Sequence, residues 1–373
     1  MKKILFLTGT RADFGKIKSL ISILEKEEAF EVFVFVTGMH LQQEYGYTLI
    51  EIERCGFKNI HTFLNHTHET TMDLTLAKTI EGLSGYVKTI QPDMIVIHGD
   101  RVETLAGAIV GSLNNILVAH IEGGELSGTV DELIRHSVTK LCHIHFVSND
   151  EAAKRLLQMG ETASSIFTIG SPDIDIMFSD QLPDLNIVKS YYGIDFDTFS
   201  VAMFHPVTTE ANFMKEYAQH FVEALLKDHH NYIVIFPNND NGSHHIIKAY
   251  EILKNNDRFK VFPSLRFEYF LTLLKNSQFI IGNSSAGIRE APYYGIPVIN
   301  IGTRQQNRAV HSTIINTTYE EKSISNALKT INSIQTEKLI SGFGIGNSTQ
   351  QFLDAMKSDA IWIINHQKQF TDI

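Results

Sequence analysis

Short runs of aliphatic and β-branched residues alternate along the first half of the chain with longer stretches of helical periodicity. Each apolar run is bounded by glycine, asparagine or aspartate, which is typical of a buried strand that ends in a loop. The runs predict strands at residues 4–8, 32–37, 94–98, 116–121 and 144–147. Strands that alternate with amphipathic helices predict βαβ units, and therefore a parallel sheet with helices on both faces.

The same alternation starts again after residue 197. It predicts strands at residues 201–204, 232–236, 260–262, 279–281 and 298–301, separated by helices such as 211–226 and 266–275. The polar stretch 178–197 between the two sets is interpreted as the connection. We therefore predict two Rossmann-like, doubly wound α/β domains, at residues 1–180 and 181–373. A last helix is expected at about 350–366, and the sequence leaves open whether it returns to pack on the first domain.

Composition narrows the classes of function. The chain has 373 residues and a formal net charge of −10, which disfavours a nucleic-acid-binding protein. The two cysteines, Cys55 and Cys142, predict no disulfide framework and fit a reducing, cytoplasmic compartment. The apolar start of the chain stops at Thr8, which is too short for a signal peptide, and no run reaches the roughly 18 apolar residues of a membrane span.

Histidines are numerous, but their spacing does not match a standard zinc site with cysteine or glutamate partners. Solvated or hydrogen-bonding histidines are therefore the favoured interpretation, and we predict no metal site. The clusters considered are His61 with His66 and His68, His143 with His145, and His244 with His245.

Polar side chains gather directly after the predicted strands, where a doubly wound sheet binds its ligands. With two such domains, the site is expected in a cleft between them. The loop at residues 9–16 contains glycine, Arg11 and Lys16, and enters a helix, so it can hold a phosphate or can simply be a tight turn. After the strand at 94–98, Asp100 is a candidate acid/base or a helix N-cap, and Arg101 can pair with a phosphate or with Asp100.

A glycine-rich acidic stretch follows the strand at 116–121 and contains Glu122 and Asp131. Glycine lets the backbone approach a ligand closely, although a surface loop would also tolerate this composition. Asp131 and Arg135 are four residues apart on a predicted helix, so they share a face and can form an ion pair.

Three polar segments follow strands of the second domain. His205 follows the first strand and Asn238 the second. Ser284 and Ser285 lie at a helix start, where unpaired N–H groups favour a diphosphate, although simple N-capping is the alternative. Glu290 is expected one to two turns into that helix, where its carboxylate can accept both hydroxyl groups of a ribose.

Taken together, these segments resemble the hydrolysing UDP-N-acetylglucosamine 2-epimerases of sialic-acid synthesis and relatives that act on the GDP-linked sugar in legionaminic-acid synthesis. The matching segments occur in family order between residues 11 and 308: RADFG, HGDRVE, HIEGGELSGTVDELIRH, HPVTTE, FPNND, GNSSAGIRE and INIGTRQQNR. The resemblance implies the GT-B arrangement of two Rossmann-like domains and a homodimer or homotetramer. The chain departs from the family pattern at Gly15, where many relatives have serine, and at Asn307, where glycine is usual.

The resemblance also implies roles for individual residues. Asp100, Glu122 and Asp131 resemble the acid/base residues of the family, and Arg135 resembles a residue that supports the active site. The implied nucleotide contacts are Arg11, Arg101, His205, Asn238, Ser284, Ser285, Glu290 and Arg304. The segments 237–240 and 264–268 are expected to frame the base, with uridine favoured over guanosine.

The chemistry that this resemblance implies needs no metal, nicotinamide or flavin. Departure of the diphosphate from C1 gives the sugar oxocarbenium character and acidifies the C2 hydrogen, which a carboxylate then removes. Arginines, His205 and the serine-headed helix would stabilise the departing charge. Water adds to the resulting 2-acetamidoglycal, and a proton delivered to the other face of C2 gives N-acetylmannosamine. A GT-B glycosyltransferase and a non-catalytic nucleotide-sugar sensor are the alternatives.

Overall fold

The computed structural model describes residues 1–65, 71–180, 182–306, 311–334, 336–339, 342–369 and 371. The chain divides into two compact units. Unit 1 comprises Met1–Glu125, Asp131–Ser179 and Ser341–Ile373, and unit 2 comprises Leu126–Val130 and Asp180–Ile340. None of the helices in the described ranges is long and apolar enough to span a bilayer.

Unit 1 is built on a parallel sheet. Its strands are β1 (Lys2–Thr8), β2 (Phe30–Val36), β3 (Ile60–Thr62), β4 (Met94–His98), β5 (Leu117–Ile121), β6 (Ile144–Val147) and β7 (Ile166–Thr168). Its helices, apart from the last two of the chain, are α1 (Arg11–Leu24), α2 (Leu49–Glu53), α3 (Met72–Ile90), α4 (Val102–Leu113), α5 (Val130–Leu141), α6 (Asp150–Gln158) and α7 (Pro172–Phe178). The strand order is β3-β2-β1-β4-β5-β6-β7.

Unit 2 repeats this plan. Its strands are β8 (Ser200–Met203), β9 (Tyr232–Ile235), β10 (Phe259–Phe262), β11 (Ile280–Gly282), β12 (Val298–Ile301) and β13 (Ile314–Thr317). Its helices are α8 (Leu185–Tyr192), α9 (Met214–Lys227), α10 (Ser243–Tyr250), α11 (Phe267–Lys275), α12 (Glu290–Tyr294) and α13 (Glu321–Thr330). The strand order is β10-β9-β8-β11-β12-β13, and every pairing is parallel. The predicted α/β class with two doubly wound sheets is confirmed.

The sequence prediction missed three strands and several helices. The missed strands β3, β7 and β13 all lie at the edges of their sheets. They have three or four residues and are mostly half-buried, so they lack the continuous apolar run of a central strand. Helices α6, α7 and α13 were not predicted, and α8 forms inside the stretch 178–197 that was interpreted as a connection.

The end of the chain groups with unit 1, which is one of the two alternatives that the sequence left open for the last helix. The expected helix at 350–366 forms as α14 (Ser348–Lys357) and α15 (Asp359–Trp362), because Ser358 leaves the helical conformation and caps α15. Phe352 of α14 is fully buried in the unit 1 core, where its ring centroid lies 4.9 Å from that of Phe146. Burial of this aromatic face explains why the last helices return to unit 1.

The segment after α15 contacts the rest of unit 1 through a hydrogen bond between Lys368 and Glu161. The Glu161 carboxylate accepts hydrogen bonds from Lys140 Nζ at 2.8 Å, from His145 Nε2 at 3.0 Å and from Lys368 Nζ in the tail. Burial alone raises the pKa of Glu161, but the hydrogen bonds and charges of these three groups outweigh it and lower the pKa from 4.5 to about 2.

This cluster predicts an acid-sensitive contribution to stability. Because the pKa of Glu161 is lower in the folded chain, its ionised form stabilises the fold by about 3 kcal/mol above pH 4.5. The contribution is lost as the pH falls towards 2, since the unfolded chain takes up the proton first. Glu161→Gln should therefore lower the free energy of unfolding at pH 7 by about 3 kcal/mol, and most of the difference should disappear as the pH falls from 4.5 to about 2. Urea unfolding across this range measures the effect.

The matched control is Glu151→Gln, which removes an exposed carboxylate that pairs only locally with Lys154. Its effect should be small at every pH, because exposed ion pairs contribute little. A constant difference between wild type and Glu161→Gln from pH 7 to pH 3 would contradict the assignment of the low pKa to Glu161.

Candidate active site

Strand order places the candidate residues of unit 1 at one edge of its sheet. Strands β2 and β3 are added in turn on one side of β1, and the next strand, β4, pairs with the other side of β1. In doubly wound sheets, ligands bind beyond the carboxyl ends of the strands at this reversal of order. The loops that follow β1, β4 and β5 carry Arg11, Asp100 and Glu122 at this edge.

The loop after β1 is a tight turn that caps α1. Thr10 Oγ1 accepts a hydrogen bond from Asp13 N, and the Asp13 carboxylate accepts bonds from the N–H groups of Gly9 and Thr10 at 3.0 and 3.1 Å. Burial raises the pKa of Asp13, although these bonds and the hydroxyl of Thr8 oppose the shift. Two N–H groups of this turn are thus bonded to a carboxylate of the protein. Arg11 is the first residue of α1.

Asp100 is held by a buried arginine. Arg135 of α5 is 3% exposed and donates from Nη2 to Asp100 Oδ2 and from Nη1 to the carbonyl of Glu125, the latter at 3.0 Å. Asp100 is therefore not the N-cap of α4. Arg101 occupies that position, without a capping bond from its side chain. Asp131, which was expected to pair with Arg135, lies in the first turn of α5.

Two further side chains support the loop after β4. His120 Nε2 donates to the carbonyl of Gly99 at 2.8 Å, and Gly99 adopts a positive φ of 79°. Burial lowers the pKa of His120 to about 3, so the ring stays neutral and keeps this donor. Arg101 Nε lies 3.6 Å from Glu103 Oε2, a buried carboxylate that the sequence analysis did not select.

Glu122, directly after β5, has a strained backbone conformation and a buried carboxylate. Its φ of +64° lies in the left-handed region, which is costly for a residue with a Cβ and is concentrated at functional sites. Its carboxylate lies 3.3 and 3.4 Å from Lys16 Nζ and 3.2 Å from His98 Nε2, and it accepts a hydrogen bond from Ser171 Oγ. Only 7% of its side chain is exposed. Because neighbours contact both carboxylate oxygens, the orientation of this group is fixed.

In unit 2, Asn283 organises the corresponding edge, at the end of β11. Its side chain accepts from His205 N at 2.6 Å and donates to His205 O at 2.8 Å. Its carbonyl accepts from Arg304 Nη1 at 3.3 Å and from Gln305 Nε2 at 2.8 Å. Asn283 is fully buried. Through these bonds it joins two predicted nucleotide contacts, His205 and Arg304, although Asn283 itself was not a predicted site residue.

The tautomer of His205 follows from its partner. His205 Nδ1 accepts a hydrogen bond from Asn238 N at 3.1 Å, so the ring proton of the neutral form is on Nε2. The side chain of Asn238 donates to Asp240 Oδ2 at 2.6 Å. Nε2 of His205 is therefore a hydrogen-bond donor in the neutral ring.

The serine-headed helix is shorter than predicted. Ser284 caps a single 3-10 turn, Ser285–Gly287, and its Oγ accepts from Ala286 N at 3.3 Å. The α-helix α12 then starts at Glu290, which is consequently in its first turn rather than one to two turns inside it. Pro292 explains the break, because its missing N–H and its ring are tolerated in a first turn but not in a helix interior. Glu290 is 4% exposed.

The segments expected to frame the base follow neighbouring strands, β9 and β10. Arg266 N donates to Tyr192 Oη at 2.8 Å. The Arg266 guanidinium lies 5.6 Å from the ring centroid of Tyr191 and 5.2 Å from that of Tyr269. Both distances are within the range of a cation–π contact.

Segment Leu126–Val130 belongs to unit 2, although the flanking residues belong to unit 1. Gly128 N donates to Arg304 O at 3.2 Å, and a Cβ atom at Gly128 would lie 2.2 Å from Thr303 O. Glycine is thus required where this loop meets the backbone beside Arg304. Asn307, His66 and His68 lie outside the described residues.

Within the described ranges, one group of side chains has the spacing of a metal site: Asp228, His229 and His230. Asp228 Oδ2 accepts from His230 N at 3.0 Å and from Tyr232 Oη at 2.7 Å, and it lies 2.6 Å from His230 Nδ1. These bonds explain the cluster as a local structural contact at the end of α9, and we assign no metal to it.

Comparison with known proteins agrees with this architecture. The family model described as UDP-N-acetylglucosamine 2-epimerase matches residues 22–357. The chain is 48% identical, over the full length of both proteins, to a UDP-N-acetylglucosamine 2-epimerase of Neisseria meningitidis serogroup B. It is 31% identical, over 96% of each chain, to the UDP-N,N'-diacetylbacillosamine 2-epimerase (hydrolyzing) of Legionella pneumophila.

Among solved structures, the fold is similar to that of the Methanocaldococcus jannaschii UDP-GlcNAc 2-epimerase in complex with UDP-GlcNAc and UDP. The TM-score is 0.82 at 21% identity, and the match covers 95% of this chain and 99% of the other. This likeness supports the two-domain fold, and the family model matches most of the sequence. The chain belongs to the UDP-N-acetylglucosamine 2-epimerase family.

Proposed function

We propose that the protein is a hydrolysing 2-epimerase, which converts UDP-N-acetylglucosamine and water into N-acetylmannosamine and UDP. The observation that carries the proposal is the pair of fixed carboxylates after the adjacent strands β4 and β5. Asp100 is bound by Arg135, and Glu122 is bound by Lys16 and Ser171. Inversion at C2 requires removal of a proton from one face and delivery of a proton to the other, and hence two acid/base groups.

In the proposed reaction, the C1–O bond to the diphosphate breaks and UDP leaves with the bonding electrons. A carboxylate of unit 1, with Asp100, Glu122 and Asp131 as candidates, takes the proton from C2, and the C1–C2 double bond of a 2-acetamidoglycal forms. Water then adds at C1, and a proton adds to the opposite face of C2. In an α-linked gluco sugar the leaving oxygen and the C2 hydrogen are both axial and antiparallel, so the elimination needs no change of ring shape.

We assign nucleotide binding to unit 2. Ser284 and Ser285 would bind the diphosphate through their hydroxyl groups and the backbone N–H groups of the 3-10 turn Ser285–Gly287. His205 and Arg304, both linked to Asn283, would add donors. Arg11 and Arg101 are proposed as further phosphate contacts in unit 1.

The hydrolysing outcome is favoured by two observations. The segments HIEGGELSGTVDELIRH and GNSSAGIRE resemble the hydrolysing branch, and the similar Legionella protein carries the word hydrolyzing in its name. We therefore propose that the product is the free sugar, which serves as a precursor for sialic-acid-type sugars.

One experiment separates the alternatives. The protein is incubated with UDP-N-acetylglucosamine in D₂O, and the products are followed by NMR spectroscopy. Free N-acetylmannosamine with deuterium at C2, together with UDP, supports the proposal. UDP-N-acetylmannosamine with the diphosphate retained would indicate a non-hydrolysing epimerase, and binding without turnover would indicate a sensor. A requirement for a sugar acceptor would indicate a glycosyltransferase.

Parallel incubations decide the nucleotide. We propose that UDP is used rather than GDP, so turnover of GDP-N-acetylglucosamine alone would reverse the nucleobase assignment and leave the mechanism intact. UDP-N,N'-diacetylbacillosamine is included as a third substrate, because the similar Legionella protein is named for it.

Glu290 provides a direct test of the nucleotide site. Its buried carboxylate begins α12, five residues after Ser285, and we propose that it accepts the ribose hydroxyl groups. Glu290→Ala should weaken UDP binding by about 1–3 kcal/mol, the value of a hydrogen bond to a charged group. Isothermal titration with UDP measures this loss, and Glu223→Ala, at an exposed position of α9, is the control. Unchanged affinity in a folded Glu290→Ala variant would remove Glu290 from the site.

A further inference from the structure

Lys16 lies between two buried carboxylates of unit 1. Its Nζ is 3.3 and 3.4 Å from the carboxylate oxygens of Glu122 and 3.1 Å from Asp173 Oδ2. The exposed fractions of the three side chains are 11% for Lys16, 7% for Glu122 and 0% for Asp173. Asp173 lies in the first turn of α7 and was not selected from the sequence.

This arrangement affects the proton affinity of Glu122. A carboxylate paired with a lysine alone holds its charge easily and binds a proton weakly. Here the ammonium group of Lys16 faces two carboxylates in a buried environment, where charges interact more strongly than in water. An ionised Asp173 would take up part of the field of Lys16, and its negative charge would make Glu122 more basic.

We propose that Asp173 is a positioning residue for the acid/base chemistry of Glu122. It fixes the ammonium of Lys16 between the two carboxylates and keeps Glu122 basic enough to accept a proton from the substrate. The inference rests on the proposed function. Ser171, two residues before Asp173, donates to Glu122, so one short segment controls both the orientation and the basicity of this group.

Asp175 on the same helix offers a matched control. Its carboxylate accepts hydrogen bonds from Ser348 N at 2.9 Å and Thr349 N at 2.7 Å, so it holds the start of α14. Replacing Asp173 or Asp175 by asparagine removes one negative charge from α7 in each case. The charge that faces Lys16 changes only in the first variant.

The test is the dependence of kcat on pH for wild type, Asp173→Asn and Asp175→Asn, with UDP-N-acetylglucosamine as substrate. In Asp173→Asn we expect kcat at neutral pH to fall about tenfold, with KM within about twofold, because proton transfer to a weaker base is slower. The acid limb of the profile should move to lower pH by about one unit, since Glu122 loses a neighbouring negative charge.

The other titratable groups that the described residues place near Glu122 are unchanged in all three proteins. They include Lys16 on α1, His98 on β4 and the neutral His120 on β5, with Asp13 of α1 close to His98. Asp175→Asn should lower the melting temperature and leave the acid limb where it is in the wild type. If Asp173→Asn does not fold, Asp173→Ser places a smaller polar group at the same position and serves the same test.

Two results would overturn the inference. One is an Asp173→Asn enzyme with the wild-type kcat and acid limb, and the other is a loss of activity that merely follows a loss of folded protein. A wild-type protein that releases neither UDP nor a free sugar would instead contradict the proposed function, so the two failures are distinguishable.

Discussion

Replacement of Glu122 by glutamine is expected to lower kcat by about 10²–10⁴-fold, the usual contribution of a positioned acid or base. The amide keeps the size of the side chain but can no longer act as a proton acceptor or donor in the proposed acid/base chemistry. Among the described residues of β5 and the loop that follows it, only Glu122 combines a buried carboxylate with a positive φ. The backbone conformation that orients this side chain is strained, and the rest of the fold compensates for this strain.

The measurement pairs turnover with binding. Release of UDP from UDP-N-acetylglucosamine gives kcat, and titration with UDP tests unit 2, where affinity should stay close to that of the wild type. A second amide variant, Asp100→Asn, should lose activity over the same range, because Asp100 is the other fixed carboxylate at this edge. Full activity in both variants would exclude the proposed proton transfers.

Gly282→Ala is expected to destabilise unit 2 by about 4 kcal/mol or more, one of the largest effects of a single methyl group. Gly282 has a φ of +136°, and a Cβ atom there would lie 1.9 Å from the carbonyl oxygen of Met203 on the neighbouring strand β8. Because the obstacle is the backbone of a central strand, β8 and β11 would have to separate. Asn283 follows directly, so the contacts with His205 should be lost as well.

Urea unfolding of the variant measures this effect. The control is Gly85→Ala, which replaces an exposed glycine of α3 that has no atom within 4 Å of the added Cβ. This control should stabilise the protein by up to about 1 kcal/mol, since alanine favours the helix over glycine. A Gly282→Ala protein within about 1 kcal/mol of wild type would show that β11 can move away from β8 at little cost.

The sequence predicted the central strands well, because each is an uninterrupted apolar run that is buried on both faces. Strands β4, β6 and β12 have the predicted ends. The edge strands β3, β7 and β13 were missed because a strand with one neighbour needs fewer apolar residues. The helix around Ser285 was predicted too long, since the effect of Pro292 on the preceding turn was not considered.

Prediction of the candidate site from the sequence had a different limit. Residues such as Glu122 and Asp100 were identified because they follow strands, which is a local property of the sequence. Their partners are distant in the sequence: Lys16 and Asp173 are brought together by the fold, as are Asp100 and Arg135. Local periodicity contains no information about such contacts, so neither Asp173 nor Asn283 could be selected from one sequence.

The return of α14 and α15 to unit 1 has a mechanical consequence. Both ends of the chain belong to unit 1, and most of unit 2 is an insertion between residues 180 and 340. A pulling force applied to the two termini therefore acts on unit 1 first and reaches unit 2 only after the contacts of Phe352 and Lys368 have broken. In a single-molecule experiment, the unfolding of unit 1 should precede that of unit 2. UDP should raise only the second force, because the proposed nucleotide site lies in unit 2.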